Sequence, residues 1–174
     1  MSSRQLFLAI FYLVAGLFLS VLQSSVFPRL GFSNLSPDLH YALIISLPLT
    51  LPIWLGTIIA VSLGIITDTF LLTSTGFHAV GFLCFYFILV YMQQTIYFDH
   101  LLFKAFLAAL GYFSLFLLQQ VSQVGEAVPH THFRLLNGMG AAVATGIFAI
   151  PLLHILQTFN KGFAAHKTIT SSQS

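Results

Sequence analysis

The sequence predicts an all-α protein: a polytopic membrane helix bundle with about six transmembrane helices. Three observations lead there. Hydrophobic residues make up 57% of the 174-residue chain and charged residues only 6%, whereas a soluble domain carries about 25% charged residues. The apolar residues fall in long unbroken runs, not in the every-second-residue alternation of a membrane β-barrel. Those runs recur near the length that a helix needs to cross about 30 Å of hydrocarbon, roughly 20 residues at 1.5 Å each. The single cysteine, Cys84, argues against a disulfide-stapled secreted fold. The net charge of +2, with no basic run, gives no footprint for nucleic acid. One integral membrane domain over residues 1–174 is expected.

The elements follow in order. The first span runs from Gln5 to Val26 and ends at Phe27-Pro28-Arg29. Its apolar stretch, Leu6 to Leu22, is longer than a signal-peptide core, and Gln23-Ser24-Ser25 is a weak cleavage site, so the helix is expected to be retained. A polar loop with Gly, Pro, Ser and Asn covers Pro28 to Asp38. The second span, Leu39 to about Leu51, is short by roughly 10 Å and carries Pro48, with Pro52 just beyond. A thin region, a re-entrant segment and a kinked crossing through Pro48 all fit it; a kinked crossing is favoured, because membrane helices tolerate proline. The third span runs from about Ile53 to Leu72, followed by a tight turn at Thr73-Ser74-Thr75-Gly76. The fourth is Phe77 to Met92, the fifth Leu101 to Val121, and the sixth Leu135 to Leu156. Polar connections are expected at Gln93 to His100 and at Ser122 to Arg134, and a polar tail after Leu156.

Lysine and arginine set the orientation. With both termini in the cytoplasm, the inner side holds Arg4, Lys104, Lys161 and Lys167, and the outer side Arg29 and Arg134. An even number of spans agrees with that placement.

Chemistry-bearing residues are few. Of the four carboxylates, Asp38, Asp99 and Glu126 fall in loops or at helix ends. Asp68 falls inside the third span, about 6 Å below its outer boundary. A carboxylate at the bilayer centre costs roughly 2.5–3.5 kcal/mol on insertion scales and less near the interface. It therefore marks either a functional position or a cap, accepting backbone N–H groups around Thr73 to His78. Asp38, His40, Asp68 and His78 share the outer side, so a metal or proton site built from them competes with solvated and capping roles. Their spacing matches no zinc signature. Glu126 with His130-Thr131-His132 forms a second, weaker cluster. No G-x-S-x-G, H-E-x-x-H or phosphate-binding glycine loop occurs, so neither an enzyme nor a resident cofactor is expected.

Small residues recur every four positions at Gly56, Ala60 and Gly64 in the third span, and at Gly138, Ala142 and Gly146 in the sixth. Such stripes let helices approach closely in lipid, for packing inside this bundle or for docking a partner. Tyr12, Trp54, Tyr97 and Tyr112 are candidate depth anchors.

The stretch from 36 to 92 carries a resemblance. Ser36-Pro37-Asp38-Leu39 opens the second span; Gly56 and Gly64-Ile65-Ile66-Thr67-Asp68 follow, then Leu71-Leu72 and Gly76-Phe77-His78-Ala79. This resembles MreD, the rod shape-determining membrane protein family of the bacterial elongasome. The matching positions are Pro37, Asp38, Gly64, Asp68, Gly76 and His78; Ser36 stands where the family often has arginine. The resemblance implies a fold similar to the substrate-binding (S) components of ECF vitamin transporters, and a non-enzymatic scaffold in the inner membrane. It also implies partners: an MreC-like bitopic protein, MreB, RodA, a class-B penicillin-binding transpeptidase, and membrane lipids. The alternative is a vitamin-binding subunit of an ECF-type transporter, with Asp38, His40, Asp68 and His78 as its ligand site.

Overall fold

The computed structural model describes residues 3–27, 29, 37–71, 76–95, 100–122 and 131–171. They form six helices: α1 (Ser3–Ser25), α2 (His40–Thr50), α3 (Ile53–Leu71), α4 (Phe77–Thr95), α5 (Leu101–Ser122) and α6 (Thr131–Ser171). Five are long and apolar enough to cross a membrane; α2, with 11 residues, is not.

Helix α2 sits at the centre. Every residue from His40 to Leu47 is buried, and α2 packs against each of the other five helices. Its sequence explains this, because HYALIISLPLT offers no polar face, and a helix apolar all round has to be enclosed. Eleven residues rise about 16 Å, roughly half of the hydrocarbon thickness. Pro48 lies inside the helix, and Leu51 N–H still bonds to the Leu47 carbonyl beyond it. The break falls at Leu51, whose backbone is extended (φ −126°, ψ 152°) because Pro52 follows and disfavours the α conformation before it. The chain turns there and restarts as α3 at Ile53.

Side-chain contacts fix the helix directions. His40 meets Gly16 and Ser20 of α1, while Thr50 meets Tyr12, so α2 runs against α1. Gly56 faces Tyr86 and Gly64 faces Ala79, so α3 and α4 are antiparallel. Gly81 faces Leu115 and Gly111 faces Phe85, reversing α5 against α4. Gly138 faces Phe116 and Gly146 faces Ala109, reversing α6 against α5. Ser3, the start of α5 near Lys104, and the C-terminal half of α6 therefore lie at one end of the bundle.

Both small-residue stripes are used inside the chain. A Cβ on Gly64 would overlap the backbone of His78 and Ala79, and one on Gly56 would overlap the Tyr86 ring. Ala60 is fully buried. On α6, Gly138 receives the Phe116 ring, Gly146 rests on Ala105 and Ala109, and Ala142 is buried. Lipid tails are as apolar as leucine, so such close approach supplies the packing that water would otherwise drive. Tyr12, Tyr41, Phe82 and Tyr86 fill the core, while Val14, Phe18, Val80, Leu102 and Leu136 point outward as a hydrocarbon-compatible surface.

Helix α6 is the largest departure from expectation. It starts at Thr131, inside the expected loop, and continues through the expected polar tail to Ser171. Its 41 residues rise about 60 Å, twice the hydrocarbon thickness.

Candidate functional site

Four buried polar residues form two Asp–His pairs. The first forms where the chain enters α2. Pro37, Asp38 and Leu39 are all buried. Asp38 Oδ1 accepts the backbone N–H of His40 at 3.0 Å and lies 2.8 Å from His40 Nδ1. The carboxylate thereby satisfies one of the amides that a helix start leaves without an internal partner. Gln23 Nε2 of α1 donates to the same oxygen at 3.4 Å. The Asp38 amide donates to Thr145 Oγ1 of α6 at 3.0 Å. On the far side of the ring, His40 Nε2 lies 2.9 Å from Ser20 Oγ and 3.1 Å from the Gly16 carbonyl. One buried cluster thus ties α1, α2 and α6 together.

The second pair joins α3 to α4. Asp68 Oδ2 accepts the Gly76 N–H at 2.8 Å, and Oδ1 accepts the His78 N–H at 3.1 Å. His78 Nδ1 is 2.7 Å from Oδ1. Gly76 has φ 99°, a left-handed conformation that glycine adopts without a Cβ penalty. Asp68, the last carboxylate before the turn, thus reaches across it to cap α4, where the helix dipole also favours a negative charge.

The fully buried Phe82 ring lies between the pairs. Its centroid is 6.1 Å from that of His40 and 5.9 Å from that of His78. The four residues expected on the outer side therefore make two separate pairs, not one ligand shell. Among the described residues, no group of three or more His, Cys, Asp or Glu is placed to hold a metal ion.

Ser20, His40 and Asp38 are bonded in the order of a nucleophilic triad. Enclosure decides what they do. His40 is 0% exposed and Ser20 3%, and the Ser20 hydroxyl donates to the Gly16 carbonyl at 3.1 Å. The contact of Ser20 with His40 joins α1 to α2. Ser20, Gln23 and Thr145 were missed from sequence; the available signal was a polar side chain inside an apolar run. Glu126, Asp99, Ser36 and Thr73 to Thr75 lie outside the described residues, as do the side chains of His132, Arg134, Lys161 and Lys167.

Compared with protein-family models, the chain matches that of rod shape-determining protein MreD over residues 3–159. The match runs from the first turn of α1 into α6, well beyond the 36–92 stretch. No curated protein and no solved structure matches the chain.

Proposed function

The chain belongs to the MreD family of rod shape-determining proteins, and from that premise we propose that it is a non-enzymatic scaffold subunit of the cell-shape machinery. It organises lateral peptidoglycan synthesis by holding an MreC-like bitopic protein within reach of MreB, RodA and a class-B transpeptidase. Both termini are cytoplasmic in this reading. The family match over nearly the whole chain carries it.

The site geometry supports the same role. Asp38, His40, Asp68 and His78 bind one another and nearby helix ends, so they serve the frame of the bundle. The stripes through Gly56 and Gly138 are filled by α4 and α5. Partners therefore meet the lipid-facing exterior, such as the α1 surface of Leu6, Ile10, Val14, Leu17 and Phe18. Their single spans pack there by shape, without new polar contacts.

The test is depletion from a rod-shaped host. Loss of the protein rounds the cells, re-expression restores rods, and mild-detergent purification recovers a bitopic partner. Rods that persist, with no partner recovered, would sink the proposal. A thermal shift of several degrees on adding a vitamin would replace it with the transport reading.

A further inference from the structure

The helices α4 and α5 part to leave a cleft of about 520 Å³. Gly81 and Cys84 of α4 line it from one side, and Gly111 and Ser114 of α5 from the other. The rim residues Val80 and Leu118 are 62% and 60% exposed. Both helices are membrane-spanning candidates over this stretch, so the mouth faces the bilayer interior and not an aqueous end.

We propose that this cleft is a binding site for one hydrocarbon tail of a membrane lipid, held as a resident ligand and not as part of the exchanging bilayer. Size supports this occupant. The volume falls within the roughly 300–1,000 Å³ of small-ligand sites. From Gly76 to Ile88 the α4 wall rises about 18 Å. A helix of that length, 10–12 Å wide, needs roughly three times the volume, so a partner helix rests only across the mouth. A lipid tail, about 4–5 Å wide at ordinary carbon contact distances, fits inside.

Chemistry agrees. The Ser114 hydroxyl donates to the Gly111 carbonyl of its own helix at 2.8 Å, so the one hydroxyl in the lining has its proton engaged. Water needs 2–4 polar partners, and an unfilled void forfeits contacts on its lining. The cleft also resists closure. Leu115 already packs onto Gly81, and Phe85 onto Gly111, so α4 and α5 meet at these points and come no nearer. A groove that cannot collapse holds its tail longer than a flat lipid-facing surface does.

The full chain would be placed in phosphatidylglycerol–phosphatidylethanolamine nanodiscs. These would carry a trace of phosphatidylglycerol with a photoreactive diazirine on one acyl tail. After irradiation, crosslinks are expected to concentrate on peptides containing Val80 to Ile88 and Ser114 to Leu118. Filling the cleft with Cys84→Phe or Ser114→Phe should lower that yield about tenfold, the effect of about 1.4 kcal/mol of lost binding. Ile58→Phe, on the outward face of α3, should leave it unchanged. Cys84→Leu and Ser114→Leu serve as milder fillings if a phenylalanine variant fails to elute as a single species. Crosslinks spread evenly over the exposed helices, or unchanged by filling, overturn the proposal. So does rapid Cys84–Cys84 crosslinking under oxidant, which would place a second copy at the cleft.

Discussion

Asp68 performs two jobs with two oxygens: one accepts the amide at the turn, the other accepts the His78 amide and meets its ring. Asp68→Ala removes both. Its expected cost is about 3–5 kcal/mol, the range for breaking a buried pair by deleting one partner. Asp68→Asn keeps an acceptor for the amides and should retain part of that stability. Thermal unfolding in detergent, followed by the loss of a monodisperse gel-filtration peak, should rank wild type above Asn above Ala. The first pair permits a sharper comparison. His40→Phe leaves the Asp38 carboxylate buried without its ring partner and should be strongly destabilising, whereas Asp38→Leu with His40→Phe removes both partners and should recover much of the loss. A double variant no better than the single would show that the amide and Thr145 contacts of Asp38 outweigh the pair. The two pairs also differ in how far the sequence revealed them. Asp68 and His78 are ten residues apart across one tight turn, so a cap could be expected from spacing. Asp38 and Thr145 are 107 residues apart, and no local pattern connects them.

At the scale of elements, the helix contacts distinguish glycines that look alike in sequence. Gly64 faces the backbone of α4, which cannot step aside, while Gly56 faces the far end of the Tyr86 side chain, which can rotate away. Gly64→Ala should therefore cost more than Gly56→Ala, with about 1–3 kcal/mol for the former as in other overpacked sites. Equal shifts in unfolding temperature would contradict the close α3–α4 approach. Helix boundaries were largely readable from apolar length, because lipid imposes one thickness on every crossing. The bounds of α2 were readable too, from Leu39 and the prolines, but its place at the centre was not, since burial depends on neighbours from all over the chain. The α6 extension was misread because Asn160, Lys161, Gly162 and the threonines and serines beyond suggest a tail. An existing helix propagates without a new nucleation cost, so polar residues with fair helix propensity continue it.

At the scale of the whole molecule, alternating helices put the start of α1 and the C-terminal half of α6 at one end. Arg4 and Lys104 mark that end, and the sequence adds Lys161 and Lys167 after the last apolar run. The positive-inside bias supports the proposed orientation, with this end in the cytoplasm. A reporter active only in the cytoplasm should work when fused after Lys167, and one active only outside should be silent. The reverse result would invert the bundle and overturn the proposed orientation. The lipid-facing exterior carries few polar groups, so single apolar-to-apolar changes on it should leave folding intact while altering partner recovery. Co-purification yield against unfolding temperature separates the two effects for positions such as Val14 and Phe18.

The hydrogen bond from the Asp38 amide to Thr145 also has a consequence in time. Translation delivers Asp38 to the membrane long before Thr145 emerges, so a nascent chain carries the Asp38 amide without its partner until α6 arrives. The final helix thus completes the interior and does not merely extend it. A chain truncated after Val121 is expected to be cleared quickly in a pulse-chase experiment, and co-expressing the α6 segment in trans should lengthen its life.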